Sequence, residues 1–190
     1  TWFERIPTKT WRAFLGASAE KRTGHASIDA TGFDRDQPSR HYANRTDYRV
    51  RALKVTALVD VETLYITDIH STTSKKHDAK IGPQVARRNA GDLRSLAADK
   101  GYDSKAFRDE LRQNGIRPLI KHRLFNSLDH AHNARMDGDR YHQRSMSETV
   151  FSSIKRTLGA AVRARSWWLE FREMLLKATV YNLRRSVRFP

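Results

Sequence analysis

A carboxylate, two cations and a phenol are spaced along a stretch that the sequence predicts to be helical, YHQRSMSETVFSSIKR over residues 141–156. At about 100° per residue, four side chains fall within a stripe about 60° wide: Tyr141, Arg144, Glu148 and Lys155. Taken alone, this stripe is typical of a solvated helix face with an Arg144–Glu148 ion pair. A face that binds or cleaves a substrate is the alternative, and carboxylates elsewhere in the chain favour it.

Two further carboxylates lie at the ends of predicted strands, Asp29 in SIDATGF and Asp99 in SLAADKGYD. Each alone is typical of a residue that caps a turn. Together with Glu148, they could converge at one edge of a sheet, where their mutual repulsion would call for divalent cations. Mg²⁺ prefers such hard oxygen ligands. Two metal ions roughly 3.5–4 Å apart support in-line displacement at a phosphodiester.

The charge of the chain indicates a polyanionic partner. Its 190 residues suit one domain, and 36 Lys and Arg against 21 Asp and Glu give a net charge of +15. Nucleic acid is the partner that this excess favours. A membrane is the weaker candidate, because no apolar run approaches ~18 residues and no apolar, basic amphipathic helix is present. The absence of cysteine excludes disulfides and cysteine-ligated metals and fits a reducing cytoplasm.

Other basic and aromatic residues leave alternatives open. Four histidines could suggest zinc, but without a fixed spacing solvated loop residues are the better interpretation: His122, His130, His132 and His142. The Trp167–Trp168 pair could stack on bases, although at least one ring is expected in the core. Five arginines are either phosphate contacts or ordinary surface charges: Arg163, Arg165, Arg184, Arg185 and Arg188.

The pattern of apolar residues predicts the elements that position these groups. Helices are expected over residues 8–21, 78–91 (interrupted at Gly82-Pro83), 105–115, 141–156 and 170–189. Strands are expected over residues 25–33, 49–60, 64–70, 93–99 and 116–122, with polar loops over 34–47 and 123–140. This order predicts one α/β domain with a mixed sheet flanked by helices.

Three motifs in the same order resemble a known family. The spacing Tyr141-(2)-Arg144-(3)-Glu148-(6)-Lys155 resembles the Tyr-(2)-Arg-(3)-Glu-(6)-Lys signature of prokaryotic insertion-sequence transposases of the DDE type. SIDATGF and LAADKGYDS resemble the segments that carry the first and second Asp of that family. The resemblance extends from about residue 25 to the C-terminus and implies a ribonuclease H-like fold.

The resemblance implies a catalytic triad of Asp29, Asp99 and Glu148 that binds two Mg²⁺ or Mn²⁺ ions, with Asp103 as the alternative to Asp99. The implied reaction is metal-dependent hydrolysis at the transposon end. Attack of the freed 3′-hydroxyl on target DNA follows, without a covalent protein–DNA intermediate.

The same resemblance implies contacts to the DNA backbone near the cleaved end. The residues expected to make them are Tyr141, Arg144, Lys155, Arg156 and Lys100. Terminal inverted repeats and target DNA are the expected partners, and a homodimer at the nucleoid in the prokaryotic cytoplasm is the expected state.

Family members generally carry more residues on the N-terminal side. Residues 1–24 are therefore expected to be the tail of a helical segment that helps to recognise transposon ends, and residues 25–190 the catalytic domain. Two other functions compete with a transposase. One is a truncated DNA-binding remnant without catalysis, and the other is a metal-dependent nuclease of the same fold that never joins strands.

Overall fold

A mixed five-stranded sheet forms the centre of the computed structural model, which describes residues 2–35, 45, 51–74 and 76–188. Its strands are β1 His25–Asp34, β2 Ala52–Asp60, β3 Ile66–Thr72, β4 Ser95–Ala98 and β5 Arg117–Ile120. They are arranged in the order β3-β2-β1-β4-β5, antiparallel among β1, β2 and β3 and parallel among β1, β4 and β5. The predicted mixed sheet in an α/β domain is confirmed.

Helices cover both faces of this sheet. They are α1 Trp2–Arg5, α2 Thr8–Ser18, α3 Asp78–Arg88, α4 Lys105–Gln113, α5 Ser127–Ala134, α6 Gly138–His142, α7 Met146–Leu158 and α8 Trp167–Arg188. One apolar layer joins α2, α7 and α8 to the face that carries Phe33 and Val55. The other joins α3 and α4 to the face that carries Ile28 and Leu96. Within the described residues, no helix combines the length and the apolar character needed to cross a membrane.

The N-terminal segment packs directly on the sheet. Trp11 and Leu15 of α2 are buried in the same apolar layer as α8. A buried carboxylate, Asp68 of β3, binds Arg12 of α2 and, on its other side, Arg88 of α3. The division of the chain between residues 24 and 25 stays a prediction.

The predicted interruption of α3 at Gly82-Pro83 is wrong, because the helix continues through Pro83 to Arg88. A proline inside a helix removes one hydrogen bond and costs about 3 kcal/mol or more. Burial of Ile81 and Val85 against the sheet outweighs that cost. Gly82 permits close packing here, since a Cβ on it would lie only 2.8 Å from the ring of Tyr102.

Gly82→Ala is therefore expected to lower the free energy of unfolding by about 1–3 kcal/mol, because an added methyl overpacks a close contact. Urea unfolding measures the loss. Gly91→Ala is the matched control, since nothing lies within 4 Å of a Cβ at that position. Equal stabilities of the two variants would contradict the packing argument.

The region predicted as a loop over residues 123–140 contains α5 and α6, which is a second correction. Polar caps start both helices: Asn126 and Asp129 form a capping box on α5, and the Asp137 carboxylate accepts a hydrogen bond from the Arg140 amide. Asn133 also brackets the backbone of His122 with two hydrogen bonds. No residue of α5 is buried, so the apolar periodicity that indicates a helix is missing.

The helix predicted over 141–156 is not continuous. α6 ends at His142, a 3₁₀ turn covers Gln143–Ser145, and α7 begins at Met146. The stripe drawn at one angle per residue therefore holds only within α7. The predicted loop over 34–47 lies largely outside the described residues, as do residues 49, 50 and 189 of two predicted elements.

Candidate active site

The register of β1 and β4 brings two of the predicted carboxylates side by side. Ile28 pairs with Ala98, the last residue of β4, so that Asp29 and Asp99 are the next residues on two parallel neighbouring strands. Such strands lie about 4.7–4.9 Å apart, and adjacent positions share a face. Because β4 ends at Ala98 while β1 continues to Asp34, a cleft opens beside Asp29.

Helix α7 runs alongside β1 and is attached to it at two points. The hydroxyls of Ser27 and Ser147 are 2.5 Å apart, and the Lys155 ammonium donates a hydrogen bond of 2.7 Å to Thr31. The two strand residues are about 13 Å apart and the two helix residues about 12 Å apart along their axes. Asp29 lies midway between Ser27 and Thr31 on the same strand face, so it faces α7.

Three predicted carboxylates and one predicted cation line a single cavity of about 150 Å³. Its walls come from β1, the end of β4 and the start of α7: Ile28, Asp29, Asp99, Arg144 and Glu148. Arg144 forms an ion pair of 3.8 Å with Glu148, whose side chain is 65% exposed. Among the described residues, no three His, Asp or Glu side chains are close enough together to hold a metal ion.

A fourth carboxylate, Asp78, adds to the negative charge of the cavity. Burial, followed by the charges of Glu148, Asp78 and Asp99, raises the pKa of Asp29 to about 6. Asp78 is the first residue of α3 and forms an ion pair of 2.8 Å with Lys54. Sequence reasoning missed it, because an acidic residue at a helix start is an ordinary feature. Carboxylates that repel one another in this way match the chemistry of a divalent cation.

The raised pKa of Asp29 predicts that its ionised carboxylate lowers the free energy of unfolding of the metal-free protein. Between about pH 4 and pH 6, the folded state keeps a proton on Asp29 that the unfolded state has lost, so the free energy of unfolding falls as the pH rises. Asp29→Asn removes this penalty. It is expected to stabilise the fold by about 1–2 kcal/mol near pH 8, after allowance for solvent screening, and by almost nothing near pH 3.5.

Urea unfolding in EDTA at a series of pH values measures this effect. Asp34→Asn, which removes a carboxylate from an exposed position on the same strand, is the control for the loss of one negative charge. A stability difference for Asp29→Asn that does not vary with pH would refute the assignment.

A wider groove of about 560 Å³ continues from this cavity along α7. It shares Asp29 and Glu148 with the cavity and adds five residues: Thr31, Phe151, Ser152, Lys155 and Arg156. The Lys155 ammonium also lies 5.3 Å from the centre of the Phe33 ring. We call this space, lined by both carboxylates and cations, the carboxylate groove. Three of the five predicted DNA contacts therefore lie beside the carboxylates: Arg144 in the cavity, and Lys155 and Arg156 in the groove.

The other two predicted DNA contacts lie outside both cavities. Tyr141 is only 4% exposed, and its ring carries the Arg144 guanidinium at 5.3 Å and the Lys121 ammonium at 4.5 Å. The contact of Tyr141 with the site is therefore indirect, through the Arg144 guanidinium that packs on its ring. Lys100 is exposed next to Asp99, and its carbonyl accepts a hydrogen bond from Arg123.

The alternative second carboxylate, Asp103, is occupied elsewhere. It pairs with Arg108 and accepts a hydrogen bond of 2.8 Å from the Arg123 amide. Asp99, not Asp103, lines the cavity with Asp29.

The histidines and tryptophans that the sequence left open are not among the residues that line the cavity or the groove. The rings of His122 and His132 stack at 3.8 Å, and Asp129 binds His122 at 2.9 Å. Trp167 is 66% exposed, whereas Trp168 packs under the Arg172 guanidinium.

Comparison with known proteins identifies the family and the fold of the chain. The model of the family "Transposase DDE domain" matches residues 20–183. A piggyBac transposase synaptic complex with hairpin DNA superposes with a TM-score of 0.59 at 12% identity, over 92% of this chain and 49% of that one. The chain thus spans about half the length of that transposase.

A simian T-cell lymphotropic virus intasome in complex with a PP2A regulatory subunit matches 69% of this chain and 49% of that one, at 14% identity and a TM-score of 0.37. No curated protein matches the sequence. The likeness to the piggyBac transposase confirms the ribonuclease H-like fold. Because the family model matches most of the length of this chain, the chain belongs to the transposase DDE domain family.

Proposed function

We propose that this chain is the catalytic domain of a DNA transposase from a prokaryotic insertion sequence, which cleaves the ends of the element and joins them to target DNA. One observation carries the proposal. Asp29, Asp99 and Glu148, from two parallel strands and the helix attached to them, line one cavity at the base of a groove that also presents cations.

Asp29, Asp99 and Glu148 would hold the two Mg²⁺ or Mn²⁺ ions. Bound there, such ions would supply an activated water and would stabilise the leaving 3′ oxygen. Asp99 and Glu148 are exposed, so a rotamer change can bring each carboxylate toward Asp29, and exposed side chains change rotamer readily. Asp29 is half-buried and fixed between two points of attachment, and it sets the position around which the others gather.

Lys155, Arg156 and Arg144 would hold the phosphates of the DNA strand over the carboxylates. Lys155 is held in place by Thr31, and Arg144 by Tyr141 and Glu148. A cation that is already positioned loses less side-chain entropy when it binds a phosphate. The net charge of +15 supports attraction of DNA to the protein.

Further features of the proposal come from the resemblance to insertion-sequence transposases. The chain would act on terminal inverted repeats and target DNA, work as a homodimer on paired ends, and be located at the nucleoid in the cytoplasm.

Incubation of the protein with supercoiled plasmid and a duplex oligonucleotide bearing a free 3′-hydroxyl, with Mg²⁺ or Mn²⁺, tests the proposal. We expect metal-dependent nicking and covalent joining of the oligonucleotide to the plasmid. Nicking without joined products would replace the transposase by a nuclease of the same fold. DNA binding without either product would identify a non-catalytic remnant.

A further inference from the structure

A second groove, of about 180 Å³, lies on the other flank of α7, between that helix and the C-terminal end of α8. We call it the arginine groove, after the residues that line it: Ser153, Thr157, Tyr181, Arg184, Arg185 and Arg188. Its six lining side chains carry three guanidinium groups and three hydroxyls. No carboxylate is among the lining residues.

Arg184 and Arg188 are exposed and lie one helical turn apart. Within the described residues, neither forms an ion pair or a hydrogen bond with another side chain. Cations at this spacing repel each other on a helix, and the acidic residues of α8 lie in its first two turns, at Glu170 and Glu173. Arg185 differs, because its guanidinium donates to the Thr63 carbonyl and anchors α8 to the sheet. Two positive charges are thus placed together without local compensation.

The hydroxyls of the arginine groove suit an anion. Burial raises the pKa of Tyr181, so its hydroxyl remains protonated and can donate a hydrogen bond. Thr157 uses its hydroxyl proton to donate to the Ser153 carbonyl, so the hydroxyls of Tyr181 and Ser153 are the two that can donate to an anion. Guanidinium and hydroxyl donors together are the groups that bind phosphate oxygens in protein–DNA interfaces.

The arginine groove and the carboxylate groove share helix α7 as a wall. Ser152 and Arg156 line the carboxylate groove, and the next residues, Ser153 and Thr157, line the arginine groove. Only the width of the helix, about 10 Å, separates the two grooves. A DNA strand advances about 3.4 Å per phosphate along the duplex axis, so roughly three nucleotides cross this distance.

We propose that the arginine groove binds the phosphate backbone of DNA that extends from the carboxylate groove across α7, with Arg184 and Arg188 each contacting a phosphate. The inference rests on the proposed function for its ligand and extends the DNA-binding surface to α8. An ordinary structural role competes with it, since cations near a helix C-terminus interact favourably with the helix dipole. That role predicts a loss of stability without a loss of DNA affinity.

Binding of a duplex of about 30 base pairs, roughly three helical turns, to the whole protein in EDTA tests the inference over a series of salt concentrations. Arg184→Gln/Arg188→Gln is expected to weaken binding by about tenfold or more near 0.1 M salt and to reduce the slope of log K against log[salt] by about 1.8, because each phosphate contact contributes about 0.9. Arg184→Lys/Arg188→Lys should keep the wild-type slope.

The control removes two equivalent charges from the opposite face of the sheet. Arg87 of α3 and Arg112 of α4 are exposed and paired with Glu110 and Asp109. Arg87→Gln/Arg112→Gln should leave the slope unchanged. An equal slope for the Arg184/Arg188 variant and wild type, or an equal reduction in the control, would overturn the inference. Since EDTA prevents metal-dependent cleavage, failure of the proposed catalysis would leave this measurement intact.

Discussion

Glu148→Gln is expected to reduce metal-dependent DNA cleavage by roughly a thousandfold or more, which is the scale of loss when one member of a catalytic unit is removed. The substitution keeps the size and shape of the side chain and removes its charge. The side chain of Glu148 is 65% exposed, and its carboxylate pairs with Arg144 at 3.8 Å, so the fold should not change. The loss would come from the cavity, where one of three carboxylates would no longer neutralise a divalent cation.

Two measurements separate this effect from a defect in folding or binding. Titration calorimetry with Mn²⁺ should show weaker metal binding, while DNA affinity in EDTA should stay equal to that of wild type or rise slightly. Glu62→Gln, an exposed carboxylate in the turn after β2, is the matched control and should cleave normally. Wild-type cleavage by Glu148→Gln would refute the assignment of the triad.

Asp68→Ala is expected to lower the free energy of unfolding by about 2–4 kcal/mol, because it leaves two guanidinium groups facing a buried position without a partner. Asp68 is 6% exposed. Its oxygens bind Arg12 at 2.7 Å and Arg88 at 2.7 Å, and one also accepts a hydrogen bond of 3.0 Å from Asn89. The guanidinium groups are about one-third exposed, and this partial hydration places the loss below that of a fully buried pair.

Asp92→Ala provides the comparison for Asp68. Asp92 also pairs with an arginine, Arg22, at 2.6 Å, but its side chain is 58% exposed. An exposed pair of this kind contributes about 0–1 kcal/mol. Urea unfolding of both variants should therefore give clearly different losses. If the two losses were equal, the position of Asp68 between α2, β3 and α3 would have no energetic importance.

The placement of the carboxylates could be predicted from the sequence because it depends on element order. Asp29 and Asp99 follow apolar runs on strands that are parallel neighbours, and their register places the two residues side by side. The predicted strand end at Asp29 is wrong, because β1 continues to Asp34, whereas Asp99 does follow the end of β4. Asp78 belongs to no such pattern. Its approach to the cavity depends on how α3 returns over β2, where Lys54 binds it, and a sequence without a known fold does not specify that path.

The helical content between β5 and α7 could not be predicted for a different reason. α5 is held by its capping box and by contacts of Asp129 and Asn133 to His122. These polar interactions leave no periodic apolar signal. The wrong prediction of an interruption in α3 has the opposite cause. Pro83 locally disfavours a helix, but tertiary packing overrides that preference.

The two attachments of α7 to β1 constrain the number of residues between Glu148 and Lys155. Four strand steps from Ser27 to Thr31 match eight helical steps from Ser147 to Lys155. An inserted residue between Glu148 and Lys155 would turn every later side chain by about 100° and shift it by about 1.5 Å. One of the two attachments would then break, and the carboxylate and the ammonium would face different directions. The distance along α7 that the six residues between Glu148 and Lys155 span is thus fixed by the spacing of Ser27 and Thr31 on the neighbouring strand.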